Sequence, residues 1–300
     1  MNFRGAVILL VVRIGGGLGN QMFQYAFARS LEIRHKKEVF LDIKSLETNK
    51  RNYELYHFTI KENYVDTSKM KYFYAKNFVE KSFYYLQYKF KKDNGLTRRI
   101  RERGRGFSSQ YLEIRENAYF HGCWQSERYF ENIKKTVRNE FNFREKPRGK
   151  NIEMIKKIKA DRLSVSIHVR RGDYISDVKN LKKHGVCNIE YYLNAIKYMK
   201  DKVGKNIHFY IFSDDMKWVR ENLSIDCLTT YVEHNGGEQS FEDMRLMSLC
   251  SHNIIANSTF SWWGAWLNRN PNKIVIAPQK WFHSVEIENK DIIPKEWIRI

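Results

Sequence analysis

The chain has 300 residues, 42% hydrophobic and 15% aromatic, which excludes a disordered chain; only 4 prolines and 16 glycines exclude a collagen-like or linker-type protein. Fifty-three Lys and Arg against 34 Asp and Glu leave a net charge of +19, and the first 150 residues hold +15 of it. A field of that size attracts polyanions, yet no RNP, KH, zinc-finger or basic-zipper pattern accompanies it, so nucleic acid is not the expected partner.

The residues Ala6 to Ile14 are apolar and β-branched and predict a buried parallel strand. The run is too short to span a bilayer and leads into a glycine loop rather than a cleavage site, so a soluble, cytoplasmic protein is expected. Gly15-Gly16-Gly17-Leu18-Gly19-Asn20 is a turn, and Gln21 to Ile33 carries Phe23, Phe27 and Leu31 at helical spacing. Val39 to Asp42 completes a strand–glycine loop–helix–strand unit. Residues 50–115 are rich in Tyr, Phe and Lys without clean periodicity and predict short helices and loops. Their densest basic run, Arg98 to Arg105, reads as a solvated loop or helix face, or as a contact to a membrane surface or anionic carrier. Tyr119 to Gly122 predicts a strand, and Ser126 to Glu140 a helix.

Pro147 and Gly149 among charges mark a boundary, giving domains 1–147 and 148–300. Beyond it the pattern predicts a helix at about 151–160, a strand Leu163 to Val169, a helix Asn188 to Lys200 and a strand Ile207 to Phe212. Helices Met216 to Asn222, Glu238 to Ser251 and Phe260 to Asn268 follow, with strands Asn253 to Ala256 and Lys273 to Ala277. Strands alternating with helices imply mostly parallel sheets, here as two α/β domains facing a cleft. Cys123, Cys187, Cys227 and Cys250 are scattered without CxxC spacing, which fits a reducing compartment.

Four clusters point to chemistry. In Ser166-Ile167-His168-Val169-Arg170-Arg171-Gly172-Asp173-Tyr174 an apolar strand runs directly into two arginines. Ligands of open α/β sheets bind at the carboxyl ends of strands, and guanidinium forks suit phosphate oxygens. The glycine loop matches a dinucleotide fingerprint only in part, because position 20 is Asn and no convincing ribose-binding acid follows, Asp42 after the second strand being the only candidate. It still lets backbone approach a ligand at a helix start. Asn257-Ser258-Thr259-Phe260-Ser261 presents hydroxyls that either cap a helix or hold an anion, and Asp243 on the preceding helix needs donor partners, whether a guanine edge or Arg245. Ser213-Asp214-Asp215 ends a strand and either meets hydroxyls of a ligand or caps the next helix. No metal-ligand spacing is present, so no metal is expected; the arginines are able to neutralise a diphosphate.

Three stretches, from Gly16 to Ala26, from His168 to Tyr174 and from Asn257 to Trp263, resemble the α-1,2-fucosyltransferases of glycosyltransferase family 11, in the same order. The resemblance implies a GT-B fold, two Rossmann-like domains facing a cleft, with the donor held mainly by the C-terminal one. It implies GDP-β-L-fucose as donor substrate, a galactoside acceptor in a surface glycan of O-antigen or lipopolysaccharide type, inversion at the anomeric carbon, and no cofactor or metal. Carried onto this sequence, Arg170 is the main diphosphate ligand with Arg171 in support. His168 and Asp243 lie near guanine or ribose, and Ser258, Thr259 and Ser261 near the phosphates. Gly17 and Gly19 of the glycine loop are further expected donor-binding residues, and Asn20 reaches the reacting region. Asp173 is the expected general base, with Asp177 second. Another linkage or nucleotide sugar is the alternative; a polyanion-binding protein is a remote one. The basic N-terminal half is expected to meet an anionic membrane face or a pyrophosphate-linked glycan carrier.

Overall fold

A computed structural model describes residues 9–48, 51–90, 96, 98–104, 106–177, 181–182, 185–283 and 290–300. The chain divides into two compact units, Met1–Asn142 and Phe143–Ile300. The division falls ahead of the expected one at Pro147. The Phe143 ring lies under the Arg245 guanidinium at 4.3 Å, and Arg245 Nη2 donates to the Glu145 carbonyl at 2.9 Å, so this stretch packs onto the second unit. Gly149, at φ +55°, only turns the chain into the helix that follows.

The first unit contains β1 (Leu10–Arg13), α1 (Leu18–His35), β2 (Val39–Asp42), α2 (Lys44–Thr48), α3 (Lys71–Tyr74), α4 (Phe78–Phe90), β3 (Arg99–Arg101), β4 (Ala118–His121) and α5 (Lys134–Glu140). Its sheet has the order β2-β1-β4-β3, parallel throughout. Leu10, Val11 and Val12 are fully buried, as a strand covered on both faces requires; positions 6–8 of the expected strand lie outside the described residues. Phe23, Phe27 and Leu31 are fully buried, as is nearly every residue of α1 up to Leu31, and Phe27 stacks on Trp124 with ring centroids 4.1 Å apart. The expected helix from Ser126 forms only from Lys134 onward. Before it, two 3₁₀ turns, Glu127–Tyr129 and Glu131–Ile133, bring Tyr129 edge-on to Phe27 at 5.3 Å. Part of the basic run forms the edge strand β3, where Arg99 lies over the Phe73 ring at 5.0 Å; Arg105 lies outside the described residues.

The second unit contains α6 (Lys150–Ala160), β5 (Ser164–Val169), α7 (Gly172–Ser176), α8 (Ile189–Val203), β6 (His208–Ser213), α9 (Met216–Asn222), β7 (Leu228–Val232), α10 (Ser240–Leu249), β8 (His252–Ile254), α11 (Thr259–Leu267), β9 (Val275–Ala277) and β10 (Ile298–Arg299). Its six parallel strands run β7-β6-β5-β8-β9-β10. That is the Rossmann order, with β5 as the first strand and the reversal of strand order between β5 and β8. Val165, Ile167 and Val169 join Tyr192, Ala195, Ile196 and Met199 of α8 in one buried cluster. The alternate residues Ser166 and His168 are buried too, and Ser166 Oγ accepts from Asn253 Nδ2 at 2.7 Å. Two Rossmann-like units in tandem are what a GT-B architecture requires. Among the described residues no helix is long and apolar enough to cross a membrane.

Candidate active site

Open α/β sheets bind ligands at the carboxyl ends of the two strands that flank the reversal of order. In the second unit these ends carry Arg170 and Arg171 after β5, and Asn257, Ser258 and Thr259 after β8. Asn257 ties the crevice together. Its carbonyl accepts from Tyr174 Oη at 3.4 Å, and its Nδ2 donates to the carbonyls of Gly185 and Trp281, both at 3.3 Å.

The two arginines have different surroundings. Arg170 Nη1 donates to Asp214 Oδ2 at 2.8 Å, while Asp214 Oδ1 accepts from the Arg171 backbone N–H at 2.8 Å. Arg171 Nε reaches Asp215 Oδ2 at 3.2 Å, and its guanidinium lies 3.9 Å over the Trp218 ring. Asp215 also caps α9 by accepting from the Trp218 N–H at 3.2 Å. So the Ser213-Asp214-Asp215 cluster does cap a helix, but it also holds both arginines. Gly172 makes this possible: a Cβ there would stand 2.5 Å from Asp214 Oδ2.

Across the reversal point, Ser258 is the N-cap of α11, yet its side chain makes no cap hydrogen bond. The first turn of α11 therefore keeps amide donors that its cap residue does not occupy, a setting that favours an anion. The Thr259 side chain is half-buried at this turn. Ser261 differs: it is fully buried and its hydroxyl bonds the Ala256 and Ser258 carbonyls at 3.4 and 3.2 Å, so it stabilises the helix start from inside. His168 is buried against Phe260 with ring centroids 5.7 Å apart, and its Nδ1 has no partner among the described residues. Burial, reinforced by the Arg170 charge, pushes the imidazole pKa down to about 3, so the ring is neutral.

Asp243 sits in the first turn of α10 and accepts from Asn235 Nδ2 at 2.9 Å; Asn235 in turn pairs with Asn151. Burial raises the Asp243 pKa to about 7 against the lowering effect of the Asn235 bond. Arg245 is not its partner: that guanidinium pairs with Glu242, Nε to Oε2 at 2.7 Å. The Asp173 side chain lies outside the described residues, and Asp177 is exposed just after α7.

In the first unit the order reverses between β1 and β4, and a pocket of about 600 Å³ lies there, lined by residues including Arg13, Gly15, Gly16, Asn20, Arg101 and His121. Two glutamines that sequence reasoning left without a role hold the glycine loop. Gln24 Oε1 accepts from the Gly15 N–H at 2.8 Å, and Gln21 Nε2 donates to the carbonyls of Gly16 and Asn52, both at 2.9 Å. Gly16 has φ +80°, and a Cβ on it would stand 2.8 Å from Asn20 Nδ2. Asn20 Oδ1 accepts from Gln125 Nε2 at 2.7 Å. A Cβ at Gly17 would meet only open space, whereas Gly19 is buried within α1. His121 meets the Arg13 guanidinium through Nε2, and burial followed by Arg13, Arg99 and Arg101 lowers its pKa to about 4. Asp42 is not open to a ribose. It is buried and accepts from the Tyr74 and Tyr119 hydroxyls, each at 2.7 Å.

Two Rossmann-like units, the second with an interior strand ending in paired arginines, fit a glycosyltransferase of the GT-B class. The chain belongs to glycosyl transferase family 11, whose model matches residues 9–300. It is 35% identical to an alpha-1,2-colitosyltransferase of Escherichia coli, over 97% of this chain and 99% of that protein. It is 34% identical to the O-antigen biosynthesis glycosyltransferase WbnK of Escherichia coli, over 90% of this chain and 93% of that protein. Galactoside alpha-(1,2)-fucosyltransferase 1 of Saimiri sciureus is 27% identical over 46% of this chain and 40% of its own length.

Proposed function

We propose that the protein transfers L-fucose from GDP-β-L-fucose to the 2-hydroxyl of a galactoside in a surface glycan, with inversion. The observation that carries this reading is the Arg170 guanidinium, anchored by Asp214 at the reversal point beside the α11 N-terminus. In the proposed reaction the acceptor oxygen attacks the anomeric carbon opposite the diphosphate. The bond from that carbon to the phosphate oxygen breaks, GDP leaves with the electron pair, and the hydroxyl proton passes to a base. Negative charge grows on the diphosphate, and preorganised donors aimed there lower the barrier. Arg170, Thr259 and the α11 amides supply them, the buried neutral His168 and Asp243 meet the nucleoside, and Asn20 acts from the pocket of the first unit. Asp173 is the proposed base. The donor is a substrate, and no cofactor or metal enters this scheme.

A second reading has support of its own. One relative matched over nearly the whole chain is named for colitose, which is L-fucose without its 3-hydroxyl. Incubating the purified protein with GDP-fucose and with GDP-colitose, each with a β-galactoside, distinguishes the two. Fucosylated product with an α-1,2 linkage supports the first reading; turnover of GDP-colitose alone replaces it with the second. No GDP release with either donor overturns both.

A further inference from the structure

We propose that the exposed face of α4 docks on an anionic lipid bilayer, with its apolar side chains entering the interface and its flanking lysines meeting the headgroups. Phe78, Val79, Phe83, Tyr85 and Leu86, five exposed large hydrophobic residues, sit on this one helix. Val79, Phe83 and Leu86 follow one another at helical spacing and form a single stripe, exposed by 77%, 61% and 50%. Soluble proteins rarely leave such a stripe to water. The helix is held to the unit by its other side, where Lys81 Nζ lies 5.0 Å over the Tyr72 ring and the rings of Tyr72 and Tyr85 stand 6.3 Å apart.

Charge identifies the occupant. Lys69, Lys71, Lys76, Lys81 and Lys89 are all exposed, and between Lys69 and Lys89 the one acid is Glu80. Glu80 faces inward to its own helix start: it accepts from the Lys76 N–H at 2.8 Å and from the Tyr84 hydroxyl at 3.3 Å. An apolar stripe edged by lysines is the pattern of a helix lying in a membrane interface, whereas lysine is depleted where proteins bury one another. The surplus of +15 in the first 150 residues adds long-range attraction to the same kind of surface.

The inference does not depend on donor or acceptor, so its failure leaves the proposed reaction intact. The test is cosedimentation of the full chain with vesicles of phosphatidylcholine alone, or of equal parts phosphatidylcholine and phosphatidylglycerol, at low and at physiological salt. Recovery with the anionic vesicles, weakening with salt, is expected. Phe83→Asp with Leu86→Asp should lower the partition more than tenfold, since each removes apolar burial and adds repulsion. Lys76→Glu with Lys89→Glu should lower it by more than about 25-fold, at about fivefold per lysine. Both variants change exposed side chains, and circular dichroism and the thermal midpoint should match the parent. Equal recovery with neutral vesicles overturns the proposal, as does undiminished binding by the folded variants. So does a dimer, seen by sedimentation velocity without lipid, that the Phe83→Asp change dissolves, because the face would then belong to a second copy.

Discussion

Arg170 and Arg171 are adjacent in sequence, yet the geometry predicts that their alanine variants fail differently. Arg171 bonds Asp215 at 3.2 Å and covers the Trp218 ring at 3.9 Å, both within the protein. Removing it forfeits a cation–π contact of about 0.5–2 kcal/mol and a partly exposed ion pair of about 0.2–1 kcal/mol. A loss of roughly 1–2 kcal/mol lowers the midpoint of a unit this size by roughly 3–6 °C. Arg170 Nη1 bonds Asp214 and its guanidinium lies 5.5 Å over the Tyr174 ring, yet its side chain remains 28% exposed at the crevice. Replacing it removes the proposed charge-assisted bond to the diphosphate, about 1.5–3 kcal/mol, so GDP should bind roughly 10- to 150-fold more weakly. Transfer should fall by roughly 10²–10³, the scale of losing one charge-stabilising donor. Calorimetric titration with GDP, thermal unfolding without nucleotide and product formation together separate the two cases. Full GDP affinity in Arg170→Ala would refute the reasoning. So would an Arg171→Ala variant of parental stability that loses GDP as completely as Arg170→Ala.

Gly172→Ala should displace Asp214, since its Cβ would stand 2.5 Å from Oδ2; transfer should fall at least tenfold, and a crystal structure should show Arg170 detached from Asp214. Asp243 has a pKa of about 7 in the folded chain and about 4 unfolded, so between those values the folded state holds the extra proton and stability falls as pH rises. Asp243→Asn removes that loss, and its midpoint advantage over the parent should grow from pH 5 to pH 8 in thermal unfolding. If guanine donors meet the Asp243 carboxylate, GDP affinity should also drop as pH falls below about 7, and Asp243→Asn should abolish this dependence. Asn20→Ala should cut transfer by roughly 10- to 100-fold while leaving GDP titrations unchanged, because the nucleotide is assigned to the second unit.

The interior strands β1, β5 and β6 were legible because each is dense in Leu, Val, Ile or Phe: Leu10–Arg13 and Ser164–Val169 fall within predicted strands, and His208–Ser213 extends one residue past the predicted end at Phe212. Of the edge strands, β2 was legible at Val39–Asp42, but β3, β7 and β10 were not. Arg99-Ile100-Arg101 pairs along one side only, so it needs little apolar sequence and reads as charge. Leu228–Val232 is buried fully only at Val232, and Ile298–Arg299 is two residues long. Helix α4 was lost for the opposite reason: its stripe of Val79, Phe83 and Leu86 faces away from the core, so its periodicity signalled no packing partner within the unit. At the site, the strand-end arginines were legible from type and position. The contact between Asp214 and Gly172 was not, because it joins the start of α7 to the turn after β6, 42 positions apart in the chain, and the parallel pairing of β5 with β6 brings them together. The glutamines at 21 and 24 lie within the stretch Gly16 to Ala26, but nothing in the sequence alone assigned them a role, whereas folding back onto Gly15 and Gly16 is what shapes the loop.

The burial of Asp42 between two phenols bears on how this protein could diversify. A carboxylate sealed in that way fastens β2 to β4 through Tyr119 and to α3 through Tyr74, and no sugar of a nucleotide is able to compete for it. If nucleotide reading resides in the second unit, the loops around Arg13 and His121 are released from that duty. Substitutions in those loops would then change what the protein accepts without disturbing the Arg170–Asp214 pair.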